Sequence, residues 1–324
     1  MLILSEADVV QLLPVSEAIE IVRSAFVAYS RGEIRCPHRI ALPLLSPGAV
    51  LLSMPAFDGH DYAGVKLVSI QPDNAARDLP VVKALYQLFD ASTCEVLALL
   101  GATRLTAIRT GAGGGVAAAL LAHPEADRLA LIGTGAQAET QLLALVAVRP
   151  LRDVWIYGRD RARLEAFIAR MAPQLQVRLH AADSADDAVS RATIVVTATN
   201  AATPVFSDEA VNPGTHITAV GAFTTAMQEI PDATIARAAV YLDADLSAWA
   251  EAGELAGPLS RGIIRRDHAR GEIGALAAGM IAGRSSPEEI TVFKSVGLAA
   301  QDIACAAAVY RRAKQAGIGL HAAL

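Results

Sequence analysis

Apolar positions along the chain follow two different rhythms. Residues Val15 to Arg31 recur with helical spacing, placing Ile19, Val22, Ala25 and Phe26 on one face, and Gly32 supplies a stop. Short strand-like runs follow at Arg39–Leu44, Val50–Met54, Ala63–Ser69, Leu85–Asp90 and Val96–Leu100. Pro47-Gly48, Asp58-Gly59 and the stretch Ala91–Cys94 punctuate them as turns. This first region predicts an antiparallel or mixed sheet with one helix. A small-residue-rich helix, roughly Thr106 to Ala122, leads out of it.

From residue 128 strands and helices alternate. Strands are expected at 128–133, 153–157, 176–180, 193–198, 216–220 and 239–243. That alternation predicts a parallel sheet with right-handed crossovers, a Rossmann-type doubly wound α/β fold beside the α+β domain. Helical stretches, a strand-like Ile290–Phe293 and a last helix from about Leu298 to Ala316 close the chain. The last helix is expected to pack back on the first domain. The domains expected are therefore 1–120, completed by 298–324, and 121–297.

The second region opens on RLALIGTGAQA, an apolar strand running into Gly133-x-Gly135-x-x-Ala138. Gly133 permits a tight turn after the strand, Gly135 lets backbone approach a pyrophosphate, and Ala138 lets the next helix pack on the sheet. Thr134, Ala136 and Gln137 lie within this loop, where helix N-terminal amides would face the phosphates. The second nucleotide strand ends Tyr157-Gly158-Arg159. An acid there would favour NAD, whereas Arg159 suits a 2′-phosphate, so NADPH is expected over NADH. A solvated Arg159 with Asp160 in the acidic role is the alternative. Thr197-Ala198-Thr199-Asn200 and Val220-Gly221-Ala222 stand at later strand ends, where a nicotinamide ribose would lie.

With 324 residues, 53% of them hydrophobic, the chain can fill two ordinary domains. A net charge of −5, with both signs interspersed, leaves no electrostatic footprint for nucleic acid or an anionic membrane. No uncharged apolar run reaches the roughly 18–20 residues that span a bilayer. The opening MLILSEADVV meets Glu6 and Asp8 too soon for a secretory signal, so a soluble, cytoplasmic protein is expected. Cys36, Cys94 and Cys305 show no metal or redox spacing and are expected to be buried, inert thiols. His38, His123, His216 and His268 likewise show no ligand spacing, so no metal is implied.

Three cations of the first domain stand out: Arg39, Lys66 within the apolar GVKLV run, and Arg109 in LTAIRTG. A lysine in such a strand must reach water or meet an anion. Each could be a structural ion pair; together they suit a carboxylate clamp, since guanidinium grips carboxylate as a bidentate fork. Lys294 and Asp302 could belong to a loop closing over the nicotinamide or could cap a helix.

These residues resemble the ornithine cyclodeaminase/mu-crystallin family. The likeness runs through GVKLVSIQPDN (64–74), LTAIRTG (105–111), LIGTGAQA (131–138), TATN (197–200), Glu272-Ile273-Gly274 and FKSVGLAAQD (293–302), almost the whole chain. It implies a homodimer whose first domain binds substrate and dimerises, with Thr110 and Lys294 on the cofactor. It also implies that Lys66, Arg109 and Arg39 hold a substrate carboxylate. Two departures bear on activity. Cyclodeaminases carry a glutamate where this chain has Ser53, before Met54, and an aspartate where it reads Gly221-Ala222-Phe223. The form with Phe223, followed by Met227 and Glu229, resembles the branch that reduces cyclic ketimines. Δ1-Pyrroline-2-carboxylate and Δ1-piperideine-2-carboxylate are that branch's usual substrates, with Ser53, Met54 and Phe223 lining the ring site. Lyase activity on ornithine or hydroxyproline, alanine dehydrogenase activity, and a weakly catalytic NADPH-binding crystallin are the alternatives.

Overall fold

The computed structural model describes residues 1–77 and 79–323. The chain opens with β1 (Leu2–Leu4) and α1 (Glu6–Leu12), followed by α2 (Val15–Ser30). Ser5 caps α1: its Oγ accepts the Asp8 N–H while the Asp8 carboxylate accepts the Ser5 N–H. Four antiparallel neighbours come next with a short strand before them: β2 (Ile40–Pro43), β3 (Val50–Phe57), β4 (Tyr62–Ile70), β5 (Val82–Asp90) and β6 (Val96–Gly101). Helix α3 (Thr103–Leu121) then begins on the carboxylate of Glu6, which accepts the Thr103 and Arg104 N–H groups at 2.8 Å.

The alternating part follows as β7 (Arg128–Ile132), α4 (Ala136–Val148), β8 (Asp153–Tyr157), α5 (Arg161–Met171), β9 (Arg178–Ala181), α6 (Ala185–Arg191), β10 (Ile194–Thr197) and β11 (His216–Ala219). It continues through α7 (Asp232–Arg237), β12 (Ala239–Leu242), α8 (Asp245–Glu251), α9 (Gly253–Ser260), β13 (Ala269–Glu272), α10 (Ile273–Ala277) and β14 (Thr291–Lys294). Helix α11 (Ala299–Ala316) and β15 (Leu320–His321) end the chain, with Gly317 taking the left-handed conformation that stops α11.

Contacts divide the chain into two compact units, Met1–Arg109 with Leu298–Leu324, and Thr110–Gly297. The division falls inside α3 rather than at its end. In the first unit, the strands among the described residues form one mixed sheet in the order β15-β1-β6-β5-β4-β3-β2. Alternation along β3 and β4 buries Leu52, Met54, Ala56, Lys66 and Val68 under α11, and α2 packs on α11 in turn. The opposite sheet face carries Ile40, Leu42, Leu67 and Leu85, all exposed.

In the second unit every recorded strand pair is parallel, in the order β13-β12-β14-β11-β10-β7-β8-β9. Ala130, Ile132, Val195, Ile217 and Val240 fill one face, and Leu129, Leu131, Val154, Ile156 and Val196 the other. Strand order reverses between β7 and β10, so the crevice at their C-terminal ends is the ligand-binding point of this topology. His216 is buried between the hydroxyls of Thr291 and Thr218, and burial pushes its pKa down to about 3, so it stays neutral.

The expected elements form, with additions at α1, β1, β13 and β15. β1 and β15 are very short, and β13 carries Arg270 and Glu272 at a sheet edge, so none shows a clear apolar alternation. The expectation on cysteines is corrected: Cys305 is buried, but Cys36 is half-buried and Cys94 is exposed at φ 61° in the turn joining β5 to β6. No helix among the described residues is long and apolar enough to cross a membrane.

Candidate active site

The register of the first sheet sets Met54, Lys66, Tyr86 and Leu100 side by side across β3 to β6. All four are buried, and for Lys66 that demands a counter-ion. Asp302 on α11 provides it. Lys66 Nζ donates to Asp302 Oδ1 at 2.8 Å and lies 2.7 Å from Oδ2. Arg109, from the first turns of α3, donates through Nε to the same Oδ1 at 3.0 Å and through Nη1 to Gln301 Oε1 at 3.1 Å. Gln301 donates back to the Arg109 carbonyl and accepts the Leu298 N–H, fixing the start of α11.

Two cations thus share one carboxylate, which leaves one positive charge unbalanced. Burial, and next the Arg109 charge, lower the Lys66 pKa from 10.5 to about 7, against the pull of Asp302; Arg39 lowers it slightly further. Arg109 keeps a side-chain exposure of 6% where Lys66 and Asp302 have none. Cys305, one turn beyond Asp302, is pushed up to about 12 by burial. Tyr86 is raised by burial and then by Asp302, and its hydroxyl is buried without a hydrogen-bond partner. That hydroxyl lies over Gly64, where a Cβ would meet it at 2.5 Å.

Ser53 is a correction. It pairs with Ile40 and Leu67 on the exposed sheet face, because adjacent strand residues point to opposite sides. Met54 shares the Lys66 row; Ser53 does not. Phe223 stands in the loop after β11, in the second unit.

In the second unit, β7 ends at the glycine loop. Gly133 has φ +120°, and a Cβ there would stand 2.5 Å from the Ala198 carbonyl oxygen. Gly135 is the N-cap of α4, makes no side-chain cap, and faces open space where a Cβ would touch nothing within 4 Å. Thr134 lies beside Gly158, and Gln137 Oε1 is buried with no partner. An uncapped helix N-terminus, an open glycine and an orphaned acceptor fit a phosphate-bearing dinucleotide with ribose hydroxyls to donate. Tyr157 and Gly158 end β8, and Arg159 is exposed. Asp160 caps α5 through the Arg163 N–H and lies 3.5 Å from the Arg163 guanidinium, so its carboxylate is already engaged. Thr110 sits in α3, its carbonyl accepting Gln141 Nε2 at 3.0 Å.

Ala198, Thr199, Val220 and Gly221 occupy the loops after β10 and β11, as expected from the strand pattern. Thr197 and Lys294 need correction. The Thr197 hydroxyl is fully buried and donates to Glu229 Oε2 at 3.0 Å. Lys294 is equally buried, donates to the Ala222 carbonyl at 2.6 Å and lies 3.3 Å from Glu254 Oε2. Both therefore shape the crevice loops from behind. Asp243, which no motif marked, accepts the Ser295 hydroxyl and the Val296 and Gly297 N–H groups through Oδ2.

The fold and these loops define a two-unit α/β protein built to hold a dinucleotide in its parallel-sheet unit, with a cluster of two cations on one carboxylate in its mixed-sheet unit. The chain belongs to the ornithine cyclodeaminase/mu-crystallin family, whose model matches residues 1–317. A Δ1-pyrroline-2-carboxylate reductase from Bacillus cereus (strain ATCC 10987 / NRS 248) is 37% identical over 321 residues, covering 98% of each chain. The structure of Thermococcus litoralis Δ1-pyrroline-2-carboxylate reductase, in complex with NADH and L-proline, matches with a TM-score of 0.97 at 33% identity, covering 99% of this chain and 100% of that one. An archaeal alanine dehydrogenase dimer with bound NAD matches at 0.93 and 35%, covering 99% and 98%.

Removing Asp302 leaves Lys66 and Arg109 facing each other in a dry site. Asp302→Ala is expected to lower stability by about 3–5 kcal/mol, the usual cost of breaking a buried ion pair. Urea unfolding measures this, and a loss below about 1 kcal/mol would contradict the buried-pair account.

Proposed function

We propose that the chain reduces a cyclic ketimine carboxylate, Δ1-pyrroline-2-carboxylate or Δ1-piperideine-2-carboxylate, to L-proline or L-pipecolate. The observation that carries this is the Lys66–Arg109–Asp302 cluster with its one unbalanced positive charge. A substrate with a single carboxylate matches that charge. Arg109 presents its guanidinium to the carboxylate as a bidentate donor, and Arg39 adds field from β2's approach. Met54, buried in the Lys66 row, suits an apolar ring better than the cationic tail of ornithine. That weighs against the lyase alternative. The likeness to Δ1-pyrroline-2-carboxylate reductases, one of them in complex with NADH and L-proline, supports the same reading.

A bound nicotinamide would supply the hydride that C2 of the ring accepts. Lys66, with a pKa of about 7, is the acid. Its ammonium gives a proton to the lone pair of the ring nitrogen, the C=N π pair becomes the nitrogen lone pair as hydride reaches C2, and Lys66 is left neutral. Asp302 keeps the Nζ aimed and Gln301 keeps Arg109 in place. NADPH is the preferred reagent on this reading, because Arg159 is exposed at the end of β8 while Asp160 is occupied as a cap.

The protein assembles as a homodimer through the exposed face of its first sheet. Ile40, Leu42, Leu67 and Leu85 lie together there, around Ser53, and a groove of about 490 Å³ lined by Pro55, Phe57, Val65 and Phe89 adjoins them. A monomer rarely leaves such a patch to water. The dimeric archaeal alanine dehydrogenase is consistent with this. A cytoplasmic enzyme drawing on the cell's nicotinamide pool completes the proposal.

Incubation with each ketimine and NADPH should consume absorbance at 340 nm. Turnover of ornithine or hydroxyproline, or of pyruvate with ammonia, without ketimine reduction would overturn the assignment. The reductase kcat/KM should fall as pH rises through about 7, because the ammonium of Lys66 is lost there. Lys66→Arg, which keeps the charge but cannot donate near neutrality, should lose at least about tenfold in kcat and lose that limb. An unchanged profile in the variant would exclude Lys66 as the acid.

Arg159→Asp should move the NADPH/NADH ratio of kcat/KM toward NADH by about ten-fold or more, the effect of one good ionic contact; an unchanged ratio would refute the role of Arg159. Ile40→Asp combined with Leu42→Asp should shift the sedimentation coefficient from dimer to monomer, and a dimer that persists would place the interface elsewhere.

A further inference from the structure

Behind the crevice loops of the second unit lies a charged cluster that no motif announced. Glu229 is fully buried, yet its carboxylate accepts five hydrogen bonds. Oε1 takes the Thr199 N–H at 2.6 Å and the Thr199 hydroxyl at 2.8 Å. Oε2 takes the Thr197 hydroxyl at 3.0 Å, the Gly221 N–H at 2.8 Å and the Ala222 N–H at 3.2 Å. The ladder between β10 and β11 ends with Val220 N–H donating to the Thr197 carbonyl. Beyond that point the two strands diverge, and Glu229 replaces the missing ladder bonds with its two oxygens.

The rest of the cluster serves the same loops. Glu254 Oε1 accepts the Glu229 N–H at 2.8 Å, and Lys294 donates to the Ala222 carbonyl while standing against Glu254. The Gly221–Ala222 segment is therefore held through its amides by Glu229 and through its carbonyl by Lys294. Gly221 has no alternative: a Cβ would strike the Thr199 backbone and Glu229 Oε1.

In a doubly wound sheet the pyrophosphate sits on the glycine loop, and the two halves of a dinucleotide lie on opposite sides of the strand reversal. Here the adenosine side is β7 and β8, and the other side is β10 and β11. We propose that Glu229 is a positioning residue for the nicotinamide half, holding the Thr197–Asn200 and Gly221–Phe223 loops at the spacing that half requires, without touching it. The inference rests on dinucleotide binding and is independent of which ketimine is reduced.

Only a carboxylate can do this. Any orientation of a glutamine amide would set its NH2 against one of the backbone N–H donors, a donor facing a donor. Glu229→Gln should therefore weaken NADH binding, followed by fluorescence titration, by at least about tenfold, the scale of one unsatisfied buried polar group. ADP, which lacks the nicotinamide and its ribose, should bind within about twofold of wild type. Thr197→Val, nearly isosteric and fully buried, should shift affinity in the same direction by a smaller factor, and again for NADH alone. It serves as the test if the Glu229 variant does not fold. Equal loss of NADH and ADP, or no loss of either, would overturn the proposal. Failure of the unmodified protein to bind either ligand would instead remove the dinucleotide reading on which it rests.

Discussion

A lysine and an arginine buried side by side require a counter-ion, and the chain supplies it from 236 positions away. Asp302 meets Lys66 of β4 and Arg109 of α3, so the last long helix must return to the sheet formed by the first hundred residues. The parallel-sheet unit is consequently an insertion between two parts of the mixed-sheet unit. Desolvating three charged groups is expensive, and replacing such clusters by apolar residues often stabilises a protein. Their retention here is better understood as serving chemistry: the site keeps one uncompensated positive charge and a lysine whose proton is loosely held.

The second unit solves a related problem with backbone rather than side-chain charge. Strand ends that must open around a ligand leave N–H groups without ladder partners. Glu229 collects those beyond β10 and β11, and Asp243 collects those of Val296 and Gly297. Each carboxylate lies behind the loop it fixes. The glycines at 133 and 221 are needed for the same reason, since neighbouring backbone passes where a Cβ would be. The crevice loops are thus fixed by carboxylates buried behind them.

The glycine loop, the parallel strands and the mixed sheet could be read from the sequence because each rests on local spacing: period two, period 3.6, and a glycine at a tight turn. Lys66 and Arg109 were visible as cations in apolar runs. Asp302 was named only for a nicotinamide loop or a helix cap, because an aspartate in a helix carries no local sign of what it will meet across a fold. Lys294 was assigned to the cofactor on sequence proximity to a loop, whereas its burial turns it toward Ala222 and Glu254. Ser53 fell to a one-residue question of sheet face, which alignment with a motif does not answer. Tyr86 could have been suspected only from the register that sets it opposite Lys66. Glu229, noticed merely as following Phe223, takes its meaning from two strand ends brought together by the sheet order.

Charge conservation through the proposed reaction explains why a single buried carboxylate suffices. Before reaction the cluster carries one excess positive charge and the neutral imine substrate one negative charge, so the pair is balanced. Proton transfer from Lys66 moves the positive charge onto the ring nitrogen. The cluster is then neutral, and the substrate is a zwitterion whose C2 is more electrophilic than that of the free imine. The transfer also separates the ammonium from the Arg109 guanidinium, whose repulsion already lowers the Lys66 pKa. A second buried carboxylate would restore the lysine's grip on its proton and weaken the hold on the substrate anion. With none, Lys66 and Arg109 would be too costly to bury. On the proposed mechanism, one carboxylate for two cations leaves Lys66 acidic enough to protonate the imine while Arg109 still binds the substrate's carboxylate.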